Sequence, residues 1–396
     1  MNATEKKYNV VGRKNTVNRV VKFMLISLGV WPDASCVTFC RIFWSITIAI
    51  VQFWHYRYFL THYHSIDMFD FTEWFSSFLG YWKLFTKFVC FWLNQRIFGK
   101  ILTMMTEDWS DCSNNDIEMR ETADKAKTSD YVTNALIAFH SFALLSYGTS
   151  IILADVDVTN RTIELPHLHK MEVPFDINTQ RTYKIVLITE VMYMLAAGVG
   201  INIPNILLLT LVLHTGGQIN ILRGWITKLQ PETNENKRES FVIATNKIIR
   251  KHQKIIYFSE NVKNLYSIIA LLQFASNTVM ICLLGFLVVT ALGSPGATGK
   301  IVRSLSYYSV TNIEAFIFCY AGEYLINKSR AIGLAAYNCQ WYDLAPKQSR
   351  VLLFILLRSQ KQLTLTVGKM TDLSLRCFAS IMNSAASYLS VLLAMQ

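Results

Sequence analysis

The chain has 396 residues, of which 52% are hydrophobic and only 16% charged, with a formal net charge of +11. Soluble domains average about 25% charged residues, so this balance excludes an ordinary water-soluble globule and makes a bilayer the solvent for much of the chain. The positive charge does not make the protein a nucleic-acid binder, because no basic segment is interleaved with stacking aromatics in a recognisable module.

The N-terminal segment "MNATEKKYNVVGRKNTVNRVVKF" is basic but leads into no apolar core with a small-residue cleavage site, so no signal peptide is expected. Seven apolar blocks follow, at 36–60, 69–93, 131–154, 183–214, 265–292, 302–326 and 370–395. In lipid a backbone group finds partners only within its own helix or in a closed barrel. Alternating ten-residue strands are absent, so the blocks predict helices. Arg41, Lys83, Lys87, Glu190, Glu314 and Glu323 fall inside them. Such groups either face a bundle interior or snorkel from a helix end, and periodicity does not choose between the two.

Lys and Arg fix the expected orientation. Segments 1–35, 96–130, 215–262 and 327–369 hold six, five, eight and seven of them, whereas 61–68, 155–182 and 293–301 hold none, three and one. The expectation is an all-α membrane protein with seven transmembrane helices, a cytosolic N-terminus and an extracellular C-terminus. Asn160-Arg161-Thr162 is then a glycosylation sequon in an outer loop. All eight cysteines fall in spans or inner segments, so no extracellular disulfide is expected. A seven-span receptor that couples to G proteins has the opposite orientation, and no G protein is expected as partner.

Polar segments 106–130 and 230–240 read as solvated cytosolic extensions or loops, and Gly216-Gly217 as a helix end. Cys36-x3-Cys40 and His167-Leu168-His169 pair with no second cluster, so no metal is expected. No nucleophile elbow, HExxH or Walker pattern occurs, which leaves no catalytic residue and no cofactor to name.

In the C-terminal third, Tyr337, Trp341 and Tyr342 are spaced to line one helical face, and Pro346 starts a new helix. Its seven consecutive apolar residues, 351–357, lie between Arg350 and Arg358. A span needs about 20 residues, so this helix stops at the cytosolic face and calls for copies of the chain to bury Leu353, Leu356 and Leu357. The last block is a true span threaded with small and polar residues, among them Asn383, Ser384, Ser387 and Ser390. Such a face makes helix contacts or lines water, which suits a pore.

"YNCQWYDL", "LLRSQKQLTLTVGKMTDLSL" and "SAASYLSVLL" resemble the C-terminal signature of insect odorant receptors, and "LGVWP" at 28–32 resembles the short motif that family places before its first span. The resemblance implies a ligand-gated, nonselective cation channel of four subunits. Residues 1–35 would be a cytosolic segment, 36–326 the first six spans, 327–369 a cytosolic anchor joining subunits, and 370–396 the pore-lining helix. An apolar gate ring aligned on Tyr388 would involve Val391 and Met395. A chain lacking the long insertion of the shared co-receptor would be a tuning subunit that assembles with that co-receptor in the plasma membrane of olfactory neurons.

The resemblance also places a small volatile odorant in the outer half of spans two, three, four and six. The candidates there are Trp74, Phe75, Phe78 and Tyr81; Ser146, Tyr147 and Ser150; Met192 and Tyr193; and Tyr307, Tyr308, Thr311 and Asn312. A gustatory-type channel shares the architecture. A transporter would show an internal repeat, and none is visible.

Overall fold

The computed structural model describes residues 15–32, 34–152, 168, 170–171, 179–229, 235–292 and 297–394. Ten α-helices occur among them: α1 (Arg19–Ser27), α2 (Val37–His62), α3 (Met68–Leu93), α4 (Gln95–Cys112), α5 (Asp116–Ile152), α6 (Gln180–Thr227), α7 (Glu235–Ala291), α8 (Ala297–Asn338), α9 (Pro346–Gln360) and α10 (Leu375–Ala394). A two-stranded hairpin, β1 (Thr366–Val367) with β2 (Thr371–Asp372), precedes α10.

Helix starts follow local chemistry. Asn18 accepts the Val20 amide at 2.9 Å and Asp67 accepts that of Asp70 at 2.7 Å, each satisfying an otherwise orphan N–H. Pro346 opens α9, where its missing N–H costs nothing, and Gln348 Oε1 accepts the Ala345 amide at 3.3 Å. "LGVWP" forms the turn between α1 and α2. Gly29 there has φ +66°, and its carbonyl accepts from Arg41 Nε at 3.0 Å.

Helices α6 and α7 run for 48 and 57 residues. At 1.5 Å per residue these are roughly 70–85 Å long, far more than a hydrocarbon core of about 30 Å. Of the polar stretch 106–130, residues 106–112 end α4 and 116–130 begin α5, so it is largely ordered helix, with Glu118, Thr122 and Ala126 buried. Gly216 and Gly217 correct an expectation: they lie inside continuous α6, not at its end. A Cβ on Gly216 would stand 2.4 Å from the Tyr324 hydroxyl, and one on Gly217 3.0 Å from Lys125 Cγ, so the pair admits α8 and α5 against α6.

On length and composition alone, α2, α6, α7 from Phe241 onward, and α10 can cross a membrane. Helices α3 and α8 carry Lys83, Lys87 and Glu314, whose charges the fold pairs inside the bundle. The main core runs through Leu84, Phe88 and Phe91 of α3, Ile206 and Leu207 of α6, Tyr266 of α7 and Phe318 of α8. Tyr266 donates to the carbonyl of Pro204, which lies inside α6, at 2.8 Å.

Three expectations for the C-terminal third change. Helix α8 ends at Asn338, so Tyr337 stands on its last turn while Trp341 and Tyr342 belong to a short 3-10 turn, Trp341–Asp343, and the three do not share one helical face. Helix α9 buries Leu352 and Ile355 within its own chain, leaving Leu356 half-buried and Leu353, Phe354 and Leu357 exposed. The last span begins at Leu375, because 366–372 fold into the hairpin, turned by Gly368 and Lys369 at φ +53° and +66°. The hairpin docks between two helices: Gly368 N donates to Ser267 O at 2.9 Å, and a Cβ on Gly322 would meet Leu373 O at 2.3 Å.

Candidate ligand cavity and its buried ion network

A buried cavity of about 80 Å³ lies where α3, α5, α6 and α8 meet. Each helix turns one stripe toward it. Helix α3 presents Ser77, Gly80, Tyr81 and Lys83, and α5 presents His140, Ala143, Leu144 and Tyr147. From α6 come Met194, Ala197, Gly198 and Ile201, and from α8 Tyr307, Val310, Thr311 and Glu314, with Ser306 beside them. The i, i+3, i+4, i+7 spacing on α5, α6 and α8 is that of a single helical face.

Glycines let aromatic and aliphatic side chains close the walls. A Cβ on Gly80 would lie 2.5 Å from the Tyr307 hydroxyl, and one on Gly198 2.3 Å from Leu144 Cδ1. Tyr307 Oη donates to Ser76 O at 3.3 Å, and Tyr147 Oη to Leu168 O at 2.9 Å. The Tyr147 and Tyr307 rings meet edge to face at 6.5 Å. Above them, where α3 and α8 begin, Arg303 pairs with Glu73 and Lys170 with Asp70 at 3.1 Å.

The opposite end rests on a buried polar network. Glu314 accepts from Lys83 Nζ, from Gln273 Nε2 at 2.9 Å and from Asn205 Nδ2 at 3.2 Å. Lys87 Nζ lies 3.5 Å from Glu314 Oε1 and donates to Ile201 O at 2.9 Å and Asn205 Oδ1 at 3.0 Å. Lys83 also donates to Asn277 Oδ1 at 3.0 Å. The network ties α3, α6, α7 and α8 together, with two ammonium groups against one carboxylate. Of the other ionisable residues in the apolar blocks, Glu190 accepts the Leu168 amide at 3.1 Å, Arg41 reaches Gln95 Oε1 at 3.0 Å, and Glu323 Oε2 accepts from Leu375 N at 3.3 Å.

Of the thirteen expected ligand residues, Tyr81, Tyr147, Tyr307 and Thr311 line this cavity. Trp74, Phe75 and Phe78 form a stacked row elsewhere on α3: Trp74 stacks on Phe59 at 4.5 Å and Phe78 on Trp74 at 5.5 Å, and Trp74 Nε1 donates to His55 O at 2.7 Å. Tyr193 stacks behind Tyr81 at 5.6 Å and opens onto a cleft between α2 and α6. Ser146 bonds back to Phe142 O at 2.9 Å and Met192 is 62% exposed. Ser150 sits near the end of α5. Tyr308 packs against the cluster that holds α10, and Asn312 donates to Tyr308 O at 2.8 Å. Tyr307 and Tyr308 both pack on Met280, Leu284 and Leu287, but only Tyr307 lines the cavity. Lys83, His140, Met194 and Glu314 are lining residues the sequence reading did not choose.

Helix α10 packs through Ile381 and Ala385 onto Ile281 and Cys282 of α7 and Ala315 of α8. Ser384 is half-buried, while Asn383, Ser387, Ser390 and Val391 are exposed on the far side. Met395 and Asn160 lie outside the described residues.

A bundle of long apolar helices around a small cavity, with a buried ion network at one end, defines a membrane protein with a candidate ligand site. The chain belongs to the 7tm odorant receptor family, whose model matches residues 67–386. It is 28% identical to Odorant receptor 13a of Drosophila melanogaster over 193 residues, 46% of each chain. It is 26% identical to the odorant receptor coreceptor of Ooceraea biroi over 41% of this chain and 34% of that one. These alignments span less than half the length of the curated relatives. The structure of olfactory receptor OR5 of Machilis hrabei in complex with eugenol superposes with a TM-score of 0.75 at 15% identity, covering 96% of this chain and 98% of that one. The fold is thus the all-α, seven-transmembrane fold of this family.

Proposed function

We propose that this chain is the odorant-binding subunit of a ligand-gated cation channel, with the N-terminus cytosolic, the C-terminus outside, and α10 lining the pore beside its counterparts in a heterotetramer with the co-receptor. A small volatile occupies the four-helix cavity. Similarity to coreceptors and to a receptor solved with eugenol supports this reading. The plasma membrane of olfactory neurons is the site of action, and Asn160 faces the exterior as a glycan acceptor.

One observation carries the mechanism. Helix α8 serves both sites: Tyr307, Thr311 and Glu314 face the cavity, while Tyr308 and Ala315 pack in the cluster that seats α10. A ligand that displaces Tyr307 turns α8 against its network and moves the seat of α10. It opens the pore only to the extent that it binds the open arrangement more tightly. Ser384 and Ser387 line the conduction path, and an apolar ring at Val391 and Met395 gates it by dewetting. Tyr337, Trp341, Tyr342, Leu353, Leu356 and Leu357 belong to the anchor between subunits.

Expression with the co-receptor should give odorant-evoked cation currents that persist when G-protein signalling is blocked, with a tag at Met1 reached only from inside and one at Gln396 only from outside. Currents that need an intact G-protein pathway would refute the channel reading.

A further inference from the structure

The cavity's own hydrogen bonding indicates what it accepts. Tyr147 and Tyr307 already donate to backbone carbonyls, and Thr311 donates to Tyr307 O at 3.0 Å. Lys87 is occupied by Ile201 O, Asn205 and Glu314, and Lys83 by Glu314 and Asn277. His140 differs. It is 6% exposed and lines the cavity, and its ring makes no hydrogen bond to any described residue. A neutral imidazole holds one donor and one acceptor, which a molecule in the cavity can meet.

His140 also lines a second cavity, of about 240 Å³, on the α5–α6 side, with Leu144 as the other residue common to both. It therefore stands at the wall between the two cavities, the second of which is bordered by the exposed Leu145.

The charge of the site narrows the ligand further. Two lysines face a single glutamate, so an alkylammonium would enter an already positive site. A carboxylate would lose its hydration without a free ammonium donor to replace it. Ala143, Leu144, Met194, Ala197 and Val310 offer the rest of the ligand an apolar wall.

We infer that His140 is the polar anchor of the cavity and that the ligand is a neutral oxygenate, a ketone or alcohol on an apolar body, whose oxygen bonds the imidazole. This rests on the reading of the cavity as the odorant site. The imidazole N–H donates to a carbonyl, or its bare nitrogen accepts from a hydroxyl, so both chemistries fit one residue. Amines of the same skeleton are excluded by the positive charge of the site, and carboxylic acids by the hydration their carboxylates would lose without replacement.

The test uses the full chain expressed with the co-receptor and current dose-response curves for methyl ketones, secondary alcohols, alkanes, alkylamines and carboxylic acids of matched carbon number. Ketones and alcohols should activate at the lowest concentrations. His140→Leu should raise their half-maximal concentration about 3- to 10-fold, as expected for one net hydrogen bond of 0.5–1.5 kcal/mol. It should leave the weaker alkane response unchanged. His140→Gln, which keeps a donor and an acceptor, should recover most of the loss, and His140→Phe provides a second apolar variant if the leucine protein fails to reach the surface. Equal shifts for ketones and alkanes, silence toward every oxygenate, or preference for amines or acids would each overturn the anchor. Ala197→Trp, which fills the cavity, separates the two readings: if it leaves every response intact at normal surface expression, the cavity itself is not the odorant site.

Discussion

Glu314 is the residue on which the buried network turns, because among the described residues it is the one carboxylate paired with both Lys83 and Lys87. Removing one partner of a buried pair leaves an uncompensated charge and costs about 3–5 kcal/mol. Glu314→Gln should therefore abolish most folded protein, read as monodisperse material after detergent extraction, whereas Lys87→Met, which removes the surplus positive charge, should lose much less. A second polar cluster centres on Asp108, which lies in the 96–130 segment outside the apolar blocks. Asp108 accepts from His214 Nε2 at 3.1 Å and Lys251 Nζ at 2.9 Å, with Lys254 at 3.2 Å. Trp109 Nε1 donates to Thr16 Oγ1 at 3.0 Å, and Thr16 lies 2.9 Å from His214 Nδ1, which ties the N-terminal segment to α4, α6 and α7. Burial alone would raise the Asp108 pKa, but the His214 hydrogen bond and the two lysine charges outweigh it and hold the carboxyl well below the usual range.

A depressed folded-state pKa contributes stability that is complete above the unfolded value, near 3.9, and lost only as pH falls through the lower folded value. The Asp108→Asn variant should accordingly melt below the parent by a constant margin from about pH 8 to pH 5. A margin that shrinks across that range would mean the carboxylate is not the group responsible.

At the scale of elements, α10 presents two unlike faces. Ile381 and Ala385 are buried against α7 and α8, while Ser387 and Val391 are open, Val391 at 57%. Cysteines at 387 and 391 should react with a membrane-impermeant thiol reagent applied outside during odorant stimulation, above the background of the native cysteines, and one at Ala385 should not. Labelling at 385 but not 387 would reverse the assignment of faces. This face was legible in the run of serines and small residues, since composition along a helix states what each stripe tolerates. The start of α10 was not legible. The last apolar block is expected to start at 370, but a β-turn of two left-handed residues, its Gly368 amide bonded to Ser267 O of α7, takes 366–372 out of the helix. Adjacent aromatics gave the same difficulty: Tyr307 and Tyr308 are chemically identical, and only the rotational phase of α8 sends one to the cavity and the other to α10.

At the scale of the whole molecule, an apolar surface stands uncovered at the end where α8 finishes. Leu353, Phe354 and Leu357 of α9 stand out beside Tyr337 and Tyr342, with Phe354 70% exposed. Their opposite neighbours, Leu352 and Ile355, hold α9 to its own chain. Leu353→Asp with Phe354→Asp should then leave the subunit folded and membrane-inserted while reducing recovery of the co-receptor on affinity purification about tenfold, equivalent to 1.4 kcal/mol. Undiminished recovery would remove this face from the subunit contact.

The apolar spans and the small-polar character of the last helix were decided by the sequence alone, because lipid imposes a period and a composition that short segments must satisfy one at a time. The assignment of Lys83, Lys87 and Glu314 to one network, of His140 to the cavity wall, and of α8 to both cavity and α10 was decided only by tertiary structure. These depend on how each helix is rotated against three others, which is fixed by packing between residues as far as 231 positions apart, and no local pattern encodes that rotation.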